Sequence, residues 1–190
     1  KKIVGAESFT TIGPHWNDEL WHDQKSAFDH EICAGLNRVY FHTFTCSPAE
    51  QGIPGQEYFA GTHVNPRVTW WSKSAPFIDY MHRVQMLAQE GTFVADVLYY
   101  YGDHVPNVYP FKHSDMPGAM FGFDYDVTDE NILMKLGVED GDIVVPGGRR
   151  YKVLVLPDHR VLSLPVLKKL EMLVKEGASV LGPKPQKAVS

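Results

Sequence analysis

The sequence predicts a parallel α/β fold, and three observations predict it. A strand, a helix and a second strand follow one another between Ile3 and Phe44. The run Lys152-Val-Leu-Val-Leu156 is almost continuously apolar, as befits a strand covered on both faces. Helical and strand patterns then alternate toward the C-terminus, the order of an α/β layer rather than of segregated α and β parts.

Ile3 to Phe9 is a short apolar run closing in polar residues and reads as a buried strand. From about Asp18 to Ala34, the residues Leu20, Ala27, Phe28 and Ile32 supply a partial apolar helical face, and Gly35 suits the position that ends a helix. Leu36 to Phe44 is rich in β-formers. Such a βαβ unit implies parallel strands joined by a right-handed crossover. A long loop, about Thr45 to Trp71, is punctuated by Pro48, Gly52, Pro54, Gly55, Gly61 and Pro66. Phe77, Ile78, Met81, Val84, Leu87 and Ala88 then mark one face of a helix that Gly91 ends.

The grammar repeats after a boundary placed near Gly91, which divides the chain into 1–91 and 92–190. Thr92 to Tyr101 reads as a strand, Phe121 to Asp126 as another, and Asp129 to Leu136 as a helix. Ile143 to Pro146 and Tyr151 to Leu156 are β segments around a Gly147-Gly148 hairpin turn. Leu164, Leu167, Leu170, Leu173 and Val174 mark an amphipathic helix, and Ala178 to Leu181 a last strand. Asp124, Asp126, Asp129 and Glu130 lack the glycine and terminal glutamate of an EF-hand loop, so they read as a helix N-cap with first-turn acids.

Composition narrows the function. A chain that is 44% hydrophobic and 22% charged can bury a core and is not a disordered segment. A formal charge of −5 offers no electrostatic reason for binding nucleic acid or an anionic membrane. No apolar run approaches the length of a membrane span. Histidines cluster with acidic residues between positions 15 and 30 without the spacing of a zinc site. Cys33 and Cys46 are expected to be buried thiols rather than a pair. The start at Lys1 inside a strand, and the end directly after another, make the chain read as a piece of something longer.

The segment Glu57 to Trp71 carries the chemistry most openly. Two adjacent tryptophans, a histidine, an asparagine, an arginine and a carboxylate surround a Gly-Thr-His turn, with neither helical nor strand periodicity. Flat rings pack on the C–H face of a sugar, while amides, imidazoles and carboxylates bond its hydroxyls. Glu57, His63, Asn65, Arg67, Trp70 and Trp71 are therefore candidate sugar contacts, with one tryptophan expected to stack on substrate and the other to pack inward. Glu7 stands at the C-terminal end of the first strand, where parallel α/β folds and (β/α)8 barrels place catalytic groups, and His42 occupies the matching place on the second. Asp103 and His104 follow a strand in the same way and suit an ordinary turn or a loop contact.

Five segments together resemble glycoside hydrolase family 106, the α-L-rhamnosidases. They are Gly5-Ala-Glu-Ser-Phe-Thr10, Gly35-Leu-Asn-Arg-Val-Tyr-Phe-His42, Tyr58-Phe-Ala-Gly-Thr-His-Val-Asn65 with Thr69-Trp-Trp71, Val94-Ala-Asp-Val-Leu-Tyr-Tyr100, and Arg150-Tyr-Lys-Val-Leu-Val-Leu-Pro157. The resemblance implies that 1–91 is the C-terminal portion of a (β/α)8 TIM-type catalytic barrel, with Glu7 ending its seventh strand and His42 its eighth. It also implies that 92–190 opens a flavodoxin-like α/β domain. The expected reaction is calcium-assisted, inverting removal of terminal α-L-rhamnose, or a related deoxysugar, from plant glycans or glycosides. The expected compartment is periplasmic or secreted, and the expected partners are the glycan and the rest of the same enzyme chain. Inversion needs an acid and a base roughly 6.5–9.5 Å apart, and Glu7 fits the base that activates water. The acid would come from an earlier barrel strand, so these residues alone are expected not to catalyse. Two other classes compete: a non-catalytic carbohydrate-binding protein using the 57–71 loop, and an α/β module for oligomerisation or for a nucleotide. Against the nucleotide, Gly147-Gly148-Arg149-Arg150 lacks a phosphate-loop ending.

Overall fold

The computed structural model describes residues 2–12, 19–104 and 122–189. Asp18, Phe121 and His15, where the sequence places a helix start, a strand start and part of the histidine cluster, lie outside the described residues. The chain is mixed α/β and divides into two compact units, Lys1–Thr92 and Phe93–Ser190.

In the first unit, strand β1 (Gly5–Ser8) leads through a π-helical turn at Leu20–Gln24 into helix α1 (Lys25–Cys33). Gly35, at φ +102°, takes the left-handed residue that ends α1. The Gly35 N–H reaches the Ile32 carbonyl and the Leu36 N–H the Glu31 carbonyl, both at 3.0 Å, which closes a Schellman motif. Strand β2 (Arg38–Phe41) pairs parallel with β1, Glu7 lying opposite Tyr40. Helix α2 (Ala75–Glu90) packs beneath, and Phe9, Leu20, Phe28, Phe77 and Met81 form the core, with Trp70 and Val39 against it.

Three expectations change here. β1 is largely exposed rather than buried, because among the described residues β2 alone pairs with it in a sheet. Ala27, Leu87 and Ala88 face solvent although the periodicity assigned them to apolar faces, since the elements packed here cover only part of each helix. Cys33 and Cys46 are unpaired, as expected, but exposed: one sits in the last turn of α1 and the other in the loop after β2.

The second unit is built on a parallel sheet. Its strands are β3 (Val97–Tyr100), β4 (Tyr125–Thr128), β8 (Val153–Val155) and β10 (Val180–Leu181), in the order β10-β8-β3-β4. Helix α3 (Glu130–Leu133) follows β4, and the Asp129 carboxylate caps it by accepting from the Ile132 N–H at 2.9 Å. Strands β5 (Gly137–Glu139), β6 (Asp142–Val144) and β7 (Arg150–Tyr151) make an antiparallel meander. Gly147 and Gly148, both at positive φ, turn the β6–β7 hairpin as expected. Asp126 ties the meander to the sheet, accepting from the Tyr151 hydroxyl at 2.5 Å and pairing with Arg149. Burial, and then the Asp126 carboxylate, push the Tyr151 phenol above its ordinary pKa.

Strand β9 (Val161–Ser163) runs into helix α4 (Leu164–Lys175), whose N-cap is Ser163. Strand β11 (Lys187–Val189) pairs parallel with β9; a strand there was not anticipated from the sequence. Leu98, Leu133, Ile143, Leu154, Val166 and Leu173 are buried in one continuous core. Leu154, with 0% of its surface exposed, sits mid-sheet. Replacing it with Ala should cost this unit about 2–5 kcal/mol. Hydrogen exchange at the Leu98 and Val155 amides would read that cost directly. Among the described residues, no helix is long and apolar enough to cross a membrane.

Candidate functional site

The candidate site is assembled at the C-terminal ends of β1 and β2. On β1, alternate side chains point to opposite faces. Ser8 faces the helices and donates to the Glu31 carboxylate of α1 at 2.6 Å. Glu7 therefore faces the opposite, exposed side, where its register partner Tyr40 also stands. The Thr10 hydroxyl donates to Glu7 Oε1 at 2.7 Å and orients the carboxylate. Between them, Phe9 adopts φ +66°, a left-handed conformation that L-residues seldom take. The turn drives its ring into the core, stacked on Phe41 with centroids 5.5 Å apart. Packing holds the strained residue directly beside the carboxylate.

The loop after β2 is stitched across both strand ends by backbone hydrogen bonds. The Gly61 N–H donates to the Thr11 carbonyl at 2.5 Å, and the Thr62 N–H to the Phe9 carbonyl at 2.9 Å. The Thr43 N–H donates to the Thr62 carbonyl at 2.9 Å, and the Val64 N–H to the Thr43 carbonyl at 3.0 Å. Gln24 adds a buried 2.8 Å bond to the Thr62 hydroxyl. Gly61, at φ +95°, leaves no room for a side chain: a Cβ there would meet the His42 ring and lie 2.7 Å from the His42 carbonyl carbon. His42 donates its N–H to the Ser8 carbonyl at 3.0 Å, which sets it beside the end of β1. Its half-buried ring lies edge-on to Tyr58, centroids 5.4 Å apart, and Tyr58 packs on the 66%-exposed Phe59 at 4.6 Å.

The other residues singled out in the loop fall into two groups. His63, Asn65 and Arg67 have internal partners. His63 is fully buried, and its Nε2 accepts from the Tyr58 N–H at 3.3 Å. Asn65 is buried and accepts from the Arg67 N–H at 2.9 Å. Arg67 donates to the Gly52 carbonyl at 2.6 Å and the Ser47 carbonyl at 3.0 Å, fastening the 47–52 segment. Glu57 and Trp71 face solvent, whereas Trp70 packs against the core. The pair thus divides into one inward and one outward ring. It does so because Trp70 precedes a 3-10 turn (Trp71–Lys73), not because the segment is extended.

Three contributors were missed in the sequence reading, Thr10 as the partner of Glu7, Tyr58 as the partner of His42, and Phe59 as the exposed ring packed on Tyr58. The spacing of three residues between Glu7 and Thr10 was the available signal for the first. The arrangement offers an exposed, hydrogen-bonded carboxylate at a strand end beside an imidazole and exposed aromatic rings. That suits a general base working next to a sugar-stacking surface.

Comparison with known proteins points to a glycoside hydrolase. A family model described as alpha-L-rhamnosidase, glycoside hydrolase family 106, matches residues 1–190. A putative beta-glucuronidase of Formosa agariphila is 41% identical over 188 residues, covering 99% of this chain and 16% of that protein. The structure of a rhamnosidase from Novosphingobium sp. PP1Y superposes with a TM-score of 0.85 at 31% identity, covering 98% of this chain and 18% of that one. This chain therefore spans less than a fifth of the length of either relative, and by its full-length match to the family model it belongs to glycoside hydrolase family 106.

Proposed function

We propose that these residues form the closing part of the catalytic barrel, and the start of the next domain, of an inverting α-L-rhamnosidase in which Glu7 is the general base. The observation that carries the reading is the Glu7 carboxylate, exposed at the C-terminal end of a parallel strand and held by Thr10, between residues that the 60–64 loop bonds. In (β/α)8 enzymes, catalytic groups sit at that end of the strands. The exposed face bearing Glu7 and Tyr40 suits a barrel interior, and the β1-α1-β2-α2 order suits its last two units. The sheet order β10-β8-β3-β4 is the 2-1-3-4 succession with which a flavodoxin-like sheet begins.

In this mechanism Glu7 takes a proton from water as the water attacks the anomeric carbon. The glycosidic bond breaks on the opposite face, and the leaving oxygen receives a proton from an acid supplied by the rest of the protein. His42, Tyr58 and Phe59, with Trp71 and Glu57 on the same connecting loop, are the side chains offered to the sugar. His63, Asn65 and Arg67 hold that loop in shape. Rhamnose is the sugar preferred here on the family description and the structural relative, although the curated relative carries a glucuronidase name. A rhamnose-bearing plant glycan as substrate and a periplasmic or secreted site of action complete the reading.

Among the described residues no three His, Cys, Asp or Glu side chains converge on a site for the implied calcium. The test is stereochemical. Full-length protein is given an aryl α-L-rhamnoside and the first-formed sugar is followed by proton NMR. β-L-Rhamnose appearing first is expected; α-L-rhamnose appearing first would exclude the inverting reading.

A further inference from the structure

We propose that the second unit carries a separate binding site for a small oxyanion, a phosphate or a sugar carboxylate, held by His104, His159 and Arg160. The topology locates it. In the order β10-β8-β3-β4, the chain leaves β3 for β4 on one side and then crosses to β8 on the other. Connections that diverge in this way open a crevice outside the carboxyl ends of the two central strands, where ligands of open α/β sheets bind. A cavity of about 270 Å³ lies there. Asp103 and His104 reach it from the segment after β3, His159 and Arg160 from the segment after β8, and Ser163 from the start of α4.

The chemistry of the lining selects the ligand. Asp103 is already engaged, accepting from the Ser163 N–H at 2.6 Å. Its charge also acts on the buried Tyr100 phenol, which burial first and Asp103 second push above its ordinary pKa. Among the described residues no such partner holds the side chains of His104, His159 and Arg160, all of which can donate hydrogen bonds. The two imidazole centroids are only 3.7 Å apart, with the rings at 54°. The Arg160 guanidinium offers the planar fork that carboxylates and phosphates accept. The backbone beneath is pinned, the Arg160 carbonyl accepting from the Gln186 and Lys187 N–H groups at 2.7 and 3.1 Å. A transition metal is disfavoured, because no three potential ligands converge among the described residues.

Calorimetric titration of the full-length protein with inorganic phosphate, and separately with a hexuronate, tests the site. Binding of at least one anion is expected, and the tighter of the two identifies the source of the oxyanion. His159→Gln and Arg160→Gln should each weaken it about tenfold or more, the loss of a charge-assisted hydrogen bond. Asp103→Asn removes negative charge but keeps an oxygen for the Ser163 N–H, so it should tighten binding severalfold. That opposite sign separates a charge effect from simple structural damage. No binding of either anion to the wild-type protein, or unchanged affinity in H159Q and R160Q, would overturn the proposal, as would weaker binding in D103N. Rhamnoside hydrolysis, assayed in parallel, reports on the Glu7 site independently.

Discussion

Glu7→Gln in the full-length protein is expected to lower kcat for rhamnoside hydrolysis by about 10²–10⁴-fold, the range that general-base catalysis contributes. Glutamine is nearly isosteric with glutamate. Its amide oxygen can still accept the Thr10 hydroxyl, which bonds Glu7 Oε1 at 2.7 Å, so the turn at Phe9 should survive. What it cannot do is take a proton from water. Affinity for the sugar, measured by competition or calorimetry, should therefore stay within a few-fold. Loss of kcat with binding kept is the signature of a group acting in the transition state. Undiminished hydrolysis would remove Glu7 as base and turn attention to the non-catalytic, sugar-binding reading of the loop.

The second large effect is expected from a residue with no chemistry of its own. Gly61→Ala should cost about 1–3 kcal/mol for the left-handed backbone alone, since Gly61 sits at φ +95°. The clash adds to this: the new Cβ would lie 2.7 Å from the His42 carbonyl carbon, which is backbone and cannot swing aside. Relief requires the 60–64 segment to lift from Phe9, Thr11 and Thr43, breaking the bonds that close it over the strand ends. The expected result is a loss of at least about tenfold in kcat/KM, with hydrogen exchange accelerating at Thr62 and Val64. Wild-type exchange at those amides would show that the loop does not depend on this glycine. Of the two variants, only Gly61→Ala should alter that exchange.

Much of the local structure was legible because its causes are local. Gly35 ends α1, Asp129 caps α3, and Gly147-Gly148 turns the β6–β7 hairpin. Each works through partners within a few residues, so spacing alone reveals it. The candidate site was legible in part. Glu7 and His42 were visible because a polar residue closing an apolar strand in a βαβ unit has a predictable position. The internal hydrogen bonds of His63, Asn65 and Arg67 were not, because a polar side chain that bonds its own loop looks the same in sequence as one that meets a ligand. Asp103 and Ser163 meet across 60 residues of chain, and His159 and Arg160 carried no motif that drew notice.

The sequence by itself thus determined the α/β class, the helix ends and hairpin turn, and family membership through motifs spread along the chain. Only the tertiary structure decided that Trp70 turns inward while Trp71 stays out, that His63 is buried, and that β3 lies between β4 and β8. The physical reason is one of range. Propensity, capping and turn chemistry act within about four residues and are written in the order of side chains. Burial and strand order depend on which distant segments meet, and the surfaces that compete for each side chain exist only once the chain has folded.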